Sequence, residues 1–231
     1  MADFAAPAGS MLMREAPAIL QLPRLLLQAP KLIRAPHGNE PVVAFPGFGT
    51  NDAITLPLRR ALSGLGHDVH GWGLGRNRGD VAGDIDAATA VVRKVHEQAQ
   101  ARVALLGWSL GGVFAREIAR DNPDMVQHVF TWGTPVVGGP RYTRSARAYS
   151  EDQMDEIEVR MEERDARVIT CPITAWWSKS DGVVDWRACK DTINPHVEHI
   201  EVRSTHVGMM IDPDIWTGIA NRLVDQPPTG E

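Results

Sequence analysis

The sequence predicts an α/β protein, a doubly wound and mostly parallel sheet of about six strands with a small helical cap insertion. Three observations carry this expectation. Short, continuously apolar runs such as "PVVAF" and "VALLGW" read as strands covered on both faces. Helical patterns alternate with them, which calls for parallel βαβ units. One serine, Ser109, stands in "LLGWSLGGVF" with glycines at 107, 111 and 112, where an apolar strand gives way to a helix.

The chain has 231 residues, enough for one large domain. Residues 1–40 read as a proline-broken leader packing on the domain, and 41–231 as the domain itself. The stretch 11–36 is leucine-rich but carries Arg14, Glu15, Arg24, Lys31 and Arg34, and prolines 17, 23, 30 and 36 interrupt it. No apolar run approaches the ~20 residues that span a bilayer, and no basic stretch precedes an unbroken apolar one as in a secretion signal. Two readings stay open: short helices on the domain surface, or a Leu/Arg face resting on a membrane surface or substrate aggregate.

From residue 41 the elements follow in order. "PVVAFPG" (41–47) is a buried strand ending in glycine. In "DAITLPLRRALSGLG", Ile54, Leu58, Leu62 and Leu65 have helical spacing, and Pro57 is expected in the first turn. "HDVHGWGLG" (67–75) is a weaker strand. "DVAGDIDAATAVVRKVHEQAQ" (80–100) is an amphipathic helix, acidic early and basic late, as the helix dipole favours. Strand 102–108, helix 110–121 and strand 126–135 come next. Residues 136–170 are polar and charged. Within them Ser150 opens a capping box, and Met154, Ile157 and Met161 form a narrow stripe, so one exposed helix is expected in a cap insertion at about 138–168. Strands at 171–181 and 197–206 and a helix at 212–225 close the chain.

The net charge of −5 gives no reason to expect a nucleic-acid partner. Cys171 and Cys189 are too few for a disulfide scaffold or a four-cysteine zinc site. They read as reduced thiols of a cytoplasmic protein, with pairing left open. No metal site is expected. Oligomeric state is not legible.

Ser109 sits where a tight strand-to-helix turn would hold its hydroxyl at the carboxyl edge of the sheet. Side chains at 107 and 111 would collide with the neighbouring strand and helix. The helix N-terminus behind it offers unpaired N–H groups to a developing oxyanion. "GWSLGG" in this setting resembles the nucleophile elbow of the α/β hydrolases, and the resemblance covers residues 41 to about 225. The short start of the sheet, directly after the leader, resembles compact bacterial lipases and esterases.

That resemblance implies a serine, an acid and a histidine in chain order. His206, in "STHVGMM" after the last strand, resembles the family's catalytic histidine. The other seven histidines precede the serine or sit within, or at the entrance of, strands. Asp181 in "SDGVV" matches the acid loop, and Asp185 is the competing carboxylate, read as a cap of the next segment. The oxyanion donors implied are the backbone N–H groups of Leu110 and Phe48. Pro46 stands where relatives commonly carry a histidine, so other hydrogen bonds must support that loop. Trp108, Trp132, Met154 and Ile157 are candidate pocket residues. The implied activity is hydrolysis of apolar, small-molecule or lipid-like acyl esters through an acyl-enzyme, without a cofactor. An acyltransferase or thioesterase with the same triad is the alternative, and a non-catalytic ligand-binding protein of this fold a third reading.

Overall fold

Six segments form one sheet: β1 (Pro41–Phe45), β2 (Asp68–Gly71), β3 (Val103–Trp108), β4 (Val126–Trp132), β5 (Ile173–Trp177) and β6 (Val197–Glu201). Their order is β2–β1–β3–β4–β5–β6, and every neighbouring pair is parallel. A computed structural model describes residues 6–7, 15, 21–137, 139–143, 147 and 150–224. The leader segments 11–14 and 16–20, and the side chain of Met161, lie outside the described residues.

The central strands β1, β3 and β5 are buried at every position, which is why they read as unbroken apolar runs. β2 and β6 are the edges and are half-exposed, so their patterns are weak. Two helices, α2 (Asp52–Gly64) and α6 (Pro213–Val224), cover one face through Leu58, Leu62, Ile215, Ile219 and Leu223. On the opposite face α3 (Val81–Ala99) and α4 (Leu110–Asp121) bury Ala88, Val92, Phe114 and Ile118. Each buried Leu, Ile, Val or Phe among them contributes about 1.5–3 kcal/mol relative to exposure.

Helix α1 (Gln21–Ile33) is a single helix that accommodates Pro23 and Pro30. Leu25 and Leu32 face the core, and Arg24 pairs with Asp212 and Asp214 ahead of and within α6. The opposite stripe is bare, with Leu26 73%, Leu27 81% and Ile33 70% exposed. Helix α5 (Glu151–Asp165) lies in the insertion, and its N-terminus carries the expected capping box between Ser150 and Gln153. One local expectation is corrected. Asn51 caps α2, whose first residue is Asp52, so Pro57 lies in the second turn and withholds one N–H from the helix ladder.

Candidate active site

A parallel sheet presents the carboxyl ends of all its strands on one rim, and the segments leaving that rim meet there. β3 runs directly into α4 with Ser109 between them. Ser109 has φ 53° and ψ −124°, a conformation side chains rarely adopt. Such backbone costs about 1–3 kcal/mol and persists only where surrounding packing enforces it. The enforcement is visible at the three glycines. A Cβ at Gly107 would stand 2.3 Å from Gly112 Cα, one at Gly111 2.2 Å from the Phe45 carbonyl oxygen, and one at Gly112 2.1 Å from Thr134 Oγ1. The Ser109 hydroxyl makes no capping bond to its own helix, whereas its carbonyl accepts a bond from Thr134 Oγ1 at 2.9 Å.

Asp181 follows β5 and His206 follows β6, and both are about 3% exposed. His206 Nδ1 and Asp181 Oδ2 lie 2.7 Å apart. A carboxylate oxygen only accepts, so the proton between them sits on Nδ1, and in the neutral imidazole Nε2 then carries the lone pair. The other carboxylate oxygen, Oδ1, accepts the N–H groups of Val183 and Val184 at 2.8 Å each. Trp108 holds the histidine from below: its Nε1 donates to the His206 carbonyl at 3.2 Å, and its ring lies 5.3 Å from the imidazole. Gly133, at φ +59°, backs the pair; a Cβ there would be 2.9 Å from His206 Nδ1 and 3.3 Å from Asp181 Oδ2. Asp185, the competing carboxylate, caps the turn Trp186–Cys189 and pairs with Arg187.

Ser109 and His206 line the same cavity, of about 780 Å³. No hydrogen bond joins the Ser109 hydroxyl to the His206 ring; such contacts commonly tighten only once substrate is bound. Phe48, Trp108, Leu110 and Ile157 also border the cavity, with Ile85 and Val113 adding apolar wall. At one side Glu117, whose carboxyl is pushed up by burial against the pull of nearby arginines, faces Arg164 at 3.2 Å. Two candidate pocket residues lie elsewhere. Met154 is half-buried on α5 and is not among the lining residues. Trp132 is 1% exposed and its Nε1 donates to Met210 Sδ at 3.4 Å. Trp132 is instead enclosed in the buried cluster with Trp176, Met209, Met210 and the α6 residues, and its indole is taken up by Met210.

The loop after β1 carries Phe48. The backbone N–H groups of Phe48 and Leu110 have no acceptor among the described residues, while those of Gly49 and Thr50 bond to Asn77 and Gly47. Asn77 was not legible as a site residue. Wholly buried, it donates from Nδ2 to the Pro46 carbonyl at 2.8 Å and exchanges backbone bonds with Gly49 and Thr50. Arg76 Nε adds a bond to the Gly49 carbonyl at 2.7 Å. These contacts hold the loop behind Pro46 in place. The faint signal was "GLGRNRG", a polar, glycine-rich stretch where a strand had just ended.

The remaining candidates for chemistry are structural. His128 in β4 bonds Thr174 Oγ1 at 2.9 Å and stacks on Phe130, and burial pulls its pKa down to about 4. Cys171 and Cys189 are unpaired and buried, and burial pushes the Cys171 thiol up to about 11, which suppresses the reactive thiolate. Among the described residues no group of three or more His, Cys, Asp and Glu could hold a metal ion, and no helix is long and apolar enough to cross a membrane.

No protein-family model matches the chain. The pimeloyl-[acyl-carrier protein] methyl ester esterases of Aliivibrio salmonicida and Citrobacter koseri are each 33% identical to it, over 105 and 97 residues, or 44% and 41% of this chain. The matched stretch is 37% of the length of either enzyme. Among solved structures, Aspergillus fumigatus lipase B superposes with a TM-score of 0.63 at 16% identity, covering 84% of this chain and 54% of that lipase. A mature-form Bacillus licheniformis lipase gives 0.62 at 12%, covering 82% and 94%. By its sheet order, its crossovers and these superpositions, the chain has the fold of the α/β hydrolases.

Proposed function

We propose that the protein is a serine hydrolase that cleaves apolar carboxylic esters through an acyl-enzyme. The observation that carries this reading is the Asp181–His206 contact bordering the same cavity as a strained Ser109. In the proposed cycle His206 Nε2 takes the hydroxyl proton as Ser109 Oγ attacks the acyl carbon. The carbonyl oxygen becomes an oxyanion and accepts the N–H groups of Leu110 and Phe48, each worth on the order of 3 kcal/mol at the transition state. Asp181 holds the imidazole tautomer and stabilises the imidazolium. The tetrahedral carbon then expels the alcohol, protonated by His206. Water, deprotonated by the same nitrogen, attacks the acyl-enzyme and frees the acid.

The apolar wall formed by Ile85, Val113 and Ile157 supports an apolar acyl group, with α5 acting as one side of a cap. The named esterases act on the methyl ester of an acyl-carrier-bound acid, which supports ester rather than amide substrates here. The test is a burst of p-nitrophenol from p-nitrophenyl acyl esters, absent in Ser109→Ala. Equal turnover by that variant refutes the reading. A product that carries an added competing alcohol, in place of free acid, assigns the enzyme to acyl transfer.

The membrane contact left open for the leader also belongs to this proposal. The bare stripe of Leu26, Leu27 and Ile33 is flanked by exposed Lys31 and Arg34, a pattern suited to an anionic lipid surface. Sedimentation with phosphatidylglycerol vesicles tests it, and binding that survives Leu26→Asp with Leu27→Asp contradicts it.

A further inference from the structure

We propose that Glu15 is a positioning residue for the Asp181–His206 pair, tying the two loops that carry them. The inference rests on the proposed hydrolase reading. Glu15 Oε1 accepts the N–H of Gly182 at 2.8 Å and the N–H of His206 at 3.0 Å, and Oε2 accepts the N–H of Val207 at 2.9 Å. Gly182 is the residue after the acid, and the other two donors are the base itself and its neighbour. One carboxylate from the leader therefore bridges the loop after β5 and the loop after β6, beyond the end of the ladder that joins the two strands.

The chemistry suits this task. A carboxylate can accept several N–H groups at once, and bonds to an ionised acceptor are shorter and stronger than neutral ones. With Glu15 on its N–H and Trp108 Nε1 on its carbonyl, the His206 backbone is gripped from both ends. The ring is then fixed by Asp181 Oδ2, and its backing is Gly133. Freedom at any of these points moves Nε2 relative to Ser109. No residue of the leader other than Glu15 has its carboxylate on a peptide of either loop among the described residues.

The test compares Glu15→Gln and Glu15→Ala with the wild type in the full chain. The amide of Gln keeps an oxygen for Gly182 and His206 but turns an N–H₂ toward Val207. Loss of positioning by ångström-scale drift costs up to about 100-fold, so kcat for a p-nitrophenyl ester should fall ~10-fold in Glu15→Gln and ~100-fold in Glu15→Ala, with KM within twofold. The far-downfield proton NMR resonance of the Asp181–His206 hydrogen bond should shift or broaden in both. Unchanged kcat in Glu15→Ala overturns the inference. So does a lowered Tm with an unmoved downfield resonance, which marks a purely structural tie. Glu15→Gln carries the test if the alanine variant does not fold. A wild type without ester turnover sinks the hydrolase reading instead, and the resonance alone then reads the positioning role.

Discussion

Replacing Asp181 by asparagine removes a charge but leaves the shape of the side chain intact. Its consequence can be worked from three contacts. Oδ1 of Asp181 accepts two backbone N–H groups, from Val183 and Val184, at 2.8 Å each. An asparagine keeps both only by placing its carbonyl oxygen there. The reverse orientation sets an N–H₂ against two donors, of which the buried one at Val184 costs about 1–3 kcal/mol when left unpaired. The amide nitrogen is therefore forced toward His206 Nδ1, which lies 2.7 Å from the native oxygen. It must donate, so Nδ1 becomes the acceptor and the imidazole proton moves to Nε2. A protonated, neutral Nε2 cannot take the proton of Ser109. The expected loss is about 10⁴ in kcat, equivalent to ~5.5 kcal/mol of barrier, with a Tm close to wild type. Steady-state hydrolysis of a p-nitrophenyl ester, beside a thermal melt, measures both. Asp185→Asn is the control, because that carboxylate caps a turn and pairs with Arg187, whereas Asp181 is the one that holds the His206 ring. Turnover of Asp181→Asn within tenfold of wild type, or a larger loss in Asp185→Asn, refutes the reasoning.

Gly133→Ala should lower kcat at least ~10-fold, since its Cβ would enter the space 2.9 Å from His206 Nδ1, and the positive φ should cost a further ~1–2 kcal/mol of stability; kinetics and a urea melt read the two effects. Asn77→Ala should reduce kcat by about tenfold with little change in KM, because the buried Pro46 carbonyl loses its donor and the Phe48 N–H its fixed place. Stability should fall with acid in two steps. His128 titrates near 4 when folded and near 6.5 when unfolded, so the unfolded chain binds the extra proton in that interval and stability drops by about 3 kcal/mol as the pH falls through it. Burial opposes the Asp191 carboxylate, but Arg116 at 2.5 Å and the N–H groups of Asn194 and Ile193 outweigh it and hold it at about 2 against an ordinary 3.8. The stability it contributes is present above pH 4 and fades toward pH 2. Denaturant melts across this range should show both steps, and His128→Gln should flatten the first alone.

The sheet was legible because its central strands are covered on both faces and so read as unbroken apolar runs, while the edge strands β2 and β6, half in solvent, kept only blurred patterns. Ser109 was legible because the elbow needs glycines at fixed offsets, and each of them is explained by a contact under 2.4 Å that a Cβ would make. Asp181 and His206 emerged from position after their strands. Three residues of the proposed site left no local trace. Gly133 acts through a close approach made by distant loops, Asn77 through a carbonyl 31 residues away, and Glu15 across 191 residues to His206. Trp132 lies outside the cavity because Met210 and its cluster neighbours enclose it, contacts that nearness to the rim in sequence does not reveal.

The central claim is that Ser109 becomes acylated. Acid-quenching the enzyme during turnover of a p-nitrophenyl acyl ester, then mapping the digest by mass spectrometry, reads this directly. The expected result is one acyl group on the peptide containing Ser109, absent in Ser109→Ala and also in His206→Gln, which lacks the base that acylation needs. An acyl group carried stably on a different residue, or ester turnover with the Ser109 peptide never modified, would contradict the account.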